Sequence, residues 1–325
     1  SSLRELIAAS HEDDGTKAKL LSFAAMLVRS LYRAGVLKTS RDIAGNYRWV
    51  VVASDLQWDF SLHQALSLFL VETLDLLDHG AESYPLDLMT LVESILENPD
   101  AVLYKQTDKV KQEAIARWKE EGLSYEERME KLEEITHPQP LADFLNGSFV
   151  RFRRDHPWVG GKEIGPKSIA REMFEGYVGF SDYVRRYGLQ RSEGVLLRYL
   201  SQFYKALDQS VPEGYKIEPV YDALGFFRAL LQHTDTSLID EWESLLHPEL
   251  QLERPEEREA DRRELRVREL LENPMVFGAR VRAEMHLLLR ALADRNWEDA
   301  AAAILSDPNP SSNPEGPWTP ERFRS

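Results

Sequence analysis

An apolar stripe near the middle of the chain constrains its fold more than any other feature. Leu196, Leu200, Phe203 and Leu207 stand at i, i+4, i+7 and i+11, the spacing that collects side chains on one face of an α-helix. Burying each is worth roughly 1.5–3 kcal/mol, so this face must lie against a core. Ser192 stands where an N-cap belongs, and Pro212 follows the end of the run. Residues 166–210 therefore read as two helices, 168–186 and 193–210, joined by a turn at 187–192. Opposite the stripe stand Arg198, Gln202, Lys205 and Gln209, with Arg191 just before the helix. Arg191, Arg198 and Lys205 are seven apart, a spacing that drifts only about 20° per step around the axis. Charges opposite an apolar stripe are most often a hydrated face. The alternative is a face that offers cations and amides to a polyanion.

The charge balance bears on that choice. The 325 residues carry a net charge of −15, which argues against a surface built as a whole to hold nucleic acid, since Lys and Arg dominate phosphate binding. The region from Arg151 to Lys205 departs from this average, with eleven cations against six carboxylates. Hydrophobic content of 43% and charged content of 29% belong to a globular chain long enough for two or three packed units. No apolar run reaches the length of a membrane span. The start Ser1-Ser-Leu-Arg-Glu5 lacks the features of a signal peptide, and the missing initiator Met points to a fragment or processed product. Cysteine is absent, which excludes disulfides and thiolate metal sites and fits a cytoplasmic location.

In chain order, a short helix over 3–9 precedes a strong one over 18–37, with Leu20, Leu21, Phe23, Ala24, Leu27, Val28, Leu31 and Tyr32 as its expected packing side. Residues 47–53 are aromatic and β-branched and read as a strand, with 38–43 as the nearby candidate partner. Helices follow over 63–77, 85–96, 101–121, 124–135, 141–154, 218–232 and 238–246. The one at 124 opens with Ser-Tyr-Glu-Glu, close to a capping box. A mixed-charge helix covers 253–272, and a pair covers 276–292 and 297–305. The fold class is therefore mainly α with little β. A winged-helix-like module (1–60) precedes a helical bundle (61–250). A charged helix and terminal helix pair (251–305) and a linker with the start of a further element (306–325) complete the chain.

Catalytic signatures are sparse. Gly160-Gly-Lys-Glu-Ile-Gly165-Pro-Lys-Ser168 superficially resembles a phosphate loop, but Pro166 interrupts the pattern and no strand precedes it. A milder reading is a glycine-rich loop whose helix N-terminus could meet an anion, and the reading favoured over it is a plain loop with Pro166 at the helix start. One Glu-x-x-His pair, Glu134 and His137, falls short of the two a dimetal bundle needs. Gly179-Phe-Ser181-Asp-Tyr183 lacks the second glycine of a nucleophile elbow. The aromatics of the region, Phe152, Trp158, Phe174, Tyr177, Phe180, Tyr183, Tyr187, Tyr199 and Tyr204, are more often core than base-stacking platforms at such spacing.

Longer runs carry a family resemblance. Ser168-Ile-Ala-Arg-Glu-Met-Phe-Glu-Gly176 and Phe180-Ser-Asp-Tyr-Val-Arg-Arg-Tyr-Gly-Leu-Gln-Arg-Ser-Glu-Gly-Val-Leu-Leu-Arg-Tyr-Leu200 resemble the C-terminal domain, DUF3516, of a bacterial group of DEAD/DEAH-box helicases. Asp55-Leu-Gln-Trp-Asp-Phe-Ser-Leu-His-Gln-Ala-Leu-Ser-Leu68, Leu91-Val-Glu-Ser-Ile-Leu-Glu-Asn-Pro99 and Asp235-Thr-Ser-Leu-Ile-Asp-Glu-Trp242 match it as well. Ser192-Glu-Gly-Val-Leu-Leu-Arg198 is more distantly similar to the C-terminal helical domain of Ski2- and Mtr4-like RNA helicases. This resemblance implies a winged helix and bundle seated on a superfamily 2 motor, with one bundle helix along a single strand of RNA or DNA, RNA being favoured. It makes Arg191, Arg198 and Lys205 the expected phosphate contacts, with Arg185, Arg186 and Gln202 in support. The ATPase motifs of the full family are not in this sequence. ATP and Mg²⁺ are accordingly expected in the parent motor, and the chain by itself needs no cofactor or metal and is not expected to be an enzyme. The expected partners are the motor domains of the same polypeptide and the nucleic acid. A non-enzymatic protein-docking module is the competing expectation.

Overall fold

The computed structural model describes residues 3–41, 47–53, 60–62, 66–234, 274–304 and 318–324. The fold is mainly α. Its N-terminal unit comprises α1 (Leu3–Ala8), α2 (Asp14–Arg33) and a hairpin of β1 (Leu37–Arg41) and β2 (Tyr47–Val52). Asp13 starts α2 by accepting hydrogen bonds from the Thr16 amide at 2.9 Å and its hydroxyl at 2.8 Å. Gly35 ends that helix at φ 73°, a left-handed geometry that glycine adopts without penalty. The strands pair antiparallel with Leu37 opposite Val52, and the register shifts between Ser40 and Arg41.

The helix α2 corrects one expectation. Leu20, Leu21, Phe23, Val28 and Tyr32 are exposed, and Ser30 is its buried residue. Its apolar side therefore does not pack as the sequence periodicity implies. The helix touches the rest of the molecule near its C-terminal end, where Leu31 and Ala34 lean on the core.

The bundle follows as α3 (Ser67–Leu74), α4 (Tyr84–Ser94), α5 (Asp100–Glu120), α6 (Tyr125–Glu133), α7 (Ala142–Asp155), α8 (Ala170–Glu175), α9 (Phe180–Tyr187), α10 (Glu193–Lys205) and α11 (Glu218–Thr234). Local signals set the boundaries. Gly122 closes α5 at φ 80°, and Ser124 and Glu127 form the full capping box of α6. Apolar on nearly every side, α3 is buried throughout much of its length, with Phe69, Leu70 and Leu74 fully covered. The Phe69 ring meets Phe149 at 5.1 Å and Phe152 at 5.4 Å, both edge-on, a geometry that adds about 0.5–1.5 kcal/mol per pair beyond burial. Leu196, Leu200, Phe203 and Leu207 are all fully buried, so the central stripe packs as its spacing requires.

Two expected helices are interrupted. Residues 168–186 form two helices, α8 and α9, because the chain breaks at Gly176–Gly179. Tyr177 adopts φ 45° there, and the Val178 amide folds back onto the Met173 carbonyl at 2.7 Å. The second helix is α-helical to Lys205 and widens into a π turn at Ala206–Ser210. This turn ties in residue 61: the Ser210 hydroxyl donates to the Ser61 carbonyl at 2.7 Å, and the Ser61 amide donates to Gln209 at 3.1 Å.

A helix at Pro274–Ala293 (α12) joins the same core through Ala279. Gly225 permits this crossing, since a Cβ there would lie 2.9 Å from the Ala279 carbonyl oxygen. Short helices at Trp297–Ala303 (α13) and Pro320–Arg324 (α14) complete the described elements. The expected start of a helix at 63–65, those at 238–246 and 253–272 and the linker at 306–317 lie outside the described residues. No helix among the described residues is long and apolar enough to cross a membrane.

Candidate nucleic-acid interface

The central helices are positioned by two buried ionisable side chains, Glu93 and Lys167, each bonded to backbone. Glu93, on α4 and fully buried, accepts hydrogen bonds from the backbone amides of Ile169 and Ala170 at 2.8 Å each and of Arg171 at 3.2 Å. It also accepts from the Tyr199 hydroxyl at 2.8 Å. One carboxylate thus caps α8 and pins α10. Lys167, also fully buried, returns the arrangement at the end of α4: its Nζ donates to the carbonyls of Glu93 at 2.8 Å, Leu96 at 3.0 Å and Gly165 at 2.7 Å. Burial pushes the Glu93 carboxyl up, against the four hydrogen bonds that favour its ionised form. Burial lowers the Lys167 ammonium to about 8, against the pull of Glu93. This geometry corrects the reading of residues 160–168 as a loop offering a helix N-terminus to an outside anion, because the anion is the chain's own Glu93. Gly165 serves close packing, since a Cβ there would lie 2.5 Å from the Asn98 Oδ1.

Glu172 is a second hub. It accepts from the Tyr187 hydroxyl at 2.7 Å, the Tyr183 hydroxyl at 3.2 Å, the Gln106 amide at 3.2 Å and Arg186 at 3.3 Å. Burial, reinforced by Glu172, raises Tyr183 and Tyr187 well above the ordinary phenol value. Lys109 of α5 sits 4.8 Å above the Tyr187 ring. Together these contacts fix the angle between α5, α8 and α9.

On that platform the expected phosphate contacts divide. Arg191 and Arg198 are exposed, and neither has an ion pair or side-chain hydrogen bond to another described residue. Arg185 is exposed but pairs with Asp182 at 3.4 Å, and Arg186 pairs with Glu172 at 3.3 Å. Lys205 and Gln202 are half-buried, and Lys205 is engaged within the chain. Of the nine aromatics singled out, Phe152, Phe174, Tyr183, Tyr199 and Tyr204 are buried, while Phe180 is half-exposed. Phe180, Ser181, Val184, Arg185, Gln190 and Glu193 line an open cavity of about 240 Å³ at the α9–α10 turn. Ser192 occupies the N-cap position of α10 as its place in the sequence implies, but its side chain makes no capping bond.

A family model described as a domain of unknown function, DUF3516, matches residues 1–318. The chain belongs to the DUF3516 family. No curated protein and no solved structure matches it.

The DUF3516 fold also contains a polar relay that sequence inspection missed. The Ser30 hydroxyl lies 2.7 Å from His156 Nδ1, and His156 Nε2 lies 2.9 Å from Glu72. The order of groups is that of a hydrolase triad, yet Ser30 and His156 are 5% and 1% exposed. The Trp158 indole N–H further occupies the Ser30 oxygen at 3.1 Å. Buried as they are, these hydrogen bonds join α2, α3 and the turn after α7. His137, of the Glu-x-x-His pair, meets the Pro166 carbonyl at 3.1 Å.

Proposed function

We propose that this chain is the accessory C-terminal region of a Ski2-like superfamily 2 helicase, guiding single-stranded nucleic acid past a motor that supplies ATP hydrolysis. In this reading α1, α2 and the hairpin are the winged-helix-like unit, and α10 lies along the strand. The observation that carries it is the two-sided character of α10. One face is fully buried, while Arg198 and the preceding Arg191 stay exposed and unpaired among the described residues of an otherwise acidic chain. Two exposed arginines seven residues apart, about 10 Å along a helix axis, can each meet a phosphate of one strand. Lys205 and Gln202 extend the same face, and Arg185 and Arg186 flank it after giving up their internal carboxylates. RNA is favoured over DNA by the family resemblance alone.

The test is fluorescence anisotropy of labelled single-stranded RNA and DNA across a salt series. A strand guide binds weakly by itself and loses affinity steeply with salt, because bound phosphates release counterions. A docking module is the second reading, and the exposed Leu20, Leu21, Phe23 and Val28 of α2 favour it. It binds the motor with little salt dependence and the oligonucleotides not at all.

A further inference from the structure

Strand guiding as described needs phosphate contacts and no base recognition. The cavity at the α9–α10 turn has features that phosphate contact does not explain. It holds about 240 Å³, below the range of drug-sized pockets at about 300–1,000 Å³, yet enough for one base and part of its sugar. Its wall includes the half-exposed Phe180, a ring that stacks on no other ring among the described residues. Gln190 and Glu193 line it with their side chains exposed, and neither makes a side-chain hydrogen bond to a described residue. Ser181 and Arg185 add donors. Arg191, the exposed cation at the entrance of α10, lies in sequence between Gln190 and Glu193.

We propose that this cavity takes one unpaired guanine of a bound single strand, with Phe180 as the stacking surface and Glu193 as the reader of its Watson–Crick edge. The proposal rests on the strand-guiding reading. The choice of base follows from elementary donor patterns. A carboxylate offers two acceptors side by side. Guanine alone presents two neighbouring donors, N1–H and the N2 amine. Adenine and cytosine each place a ring acceptor beside their amine, and uracil flanks its single N–H with carbonyls. Gln190, Ser181 and Arg185 can donate to guanine O6. Because this edge is consumed by pairing in a duplex, the pocket also selects single strands. Arg191 and Arg198 hold the flanking phosphates.

The experiment compares a labelled oligouridylate with the same strand carrying one central guanosine, on wild-type protein and on Glu193→Gln. The guanosine strand binds about tenfold tighter to wild type, the discrimination expected of a good bidentate contact. Glu193→Gln removes that preference without weakening oligouridylate binding, because the lost carboxylate repels phosphate. The exposed position keeps the fold intact, and circular dichroism checks it. Phe180→Leu keeps an apolar side chain against the core but removes the aromatic face, and weakens the guanosine strand selectively. Equal binding of the two strands to wild type overturns the pocket and leaves strand guiding standing. Absence of binding to either strand overturns both.

Discussion

Two helix entrances in this protein are treated in opposite ways. At α8 the free amides of Ile169, Ala170 and Arg171 receive an internal anion, Glu93, and the matching cation, Lys167, is sealed against carbonyls. At α10 the entrance is left open. Ser192 makes no side-chain cap, and Arg191 and Glu193 are exposed beside a cavity. Both loops look polar and glycine-containing in sequence. What separates them is where the countercharge comes from. A charge answered inside the fold is structural, and a charge left in water is free to meet a ligand. The same rule sorts the arginines, with Arg186 answered by Glu172 and Arg198 unanswered among the described residues.

The sharpest way to break the comparison is at Glu93. Replacing it with alanine strands the buried amides of Ile169 and Ala170 and the Tyr199 hydroxyl without an acceptor, at a cost of about 1–3 kcal/mol for each unsatisfied group. Urea denaturation should show that drop. A variant as stable as wild type would mean the α8 entrance is no more closed than that of α10.

The alkaline limb of stability probes the closed side more broadly. Burial raises Tyr84 and Tyr215 to about 12, and Tyr183 and Tyr199 well above their ordinary value. A raised folded value contributes stability that is fully present below the unfolded value of 10 and lost as pH rises towards 12. Lys167 acts in the opposite sense. Lowered to about 8, its contribution is full above its unfolded value of 10.5 and is lost as pH falls through 8. The tyrosines outnumber the lysine, so helix content and tyrosinate absorbance should change together between pH 10 and 12. Gradual tyrosinate formation without loss of helix would show that the phenols are not held by the fold.

Smaller effects sharpen the open side. Gly188 ends α9 at φ 64°, so Gly188→Ala costs about 1–2 kcal/mol through the left-handed geometry, readable in the same urea series. Ser192→Ala should be near neutral. A working N-cap is worth about 0.5–2 kcal/mol, and a loss in that range would reveal a cap at the open entrance.

Much of this fold is legible in the sequence. The stripe at Leu196, Leu200, Phe203 and Leu207, the capping box at Ser124 and Glu127, and the strand at 47–52 follow from local periodicity and turn chemistry. What escapes such reading is tertiary. Lys167 and Glu93 meet across 74 positions, and no local pattern marks a lysine as a core residue. The break at Gly176–Gly179 had a local signal, two glycines three apart, which the apolar run on either side masks. The side chains of α2 have the spacing of a packed face, but periodicity reports which residues share a side and not whether anything covers it. At the candidate site the sequence marks the cations, while their sorting into paired and unpaired depends on Asp182 and Glu172, and the cavity depends on the turn between two helices.

The account turns on whether the unanswered arginines meet phosphate. Single-strand affinity measured against salt for wild type, Arg191→Ala, Arg198→Ala and the double variant tests it directly. Each lost contact should flatten the log–log slope by about 0.7, with the urea midpoint unmoved. Unchanged slope and affinity in the double variant would contradict it.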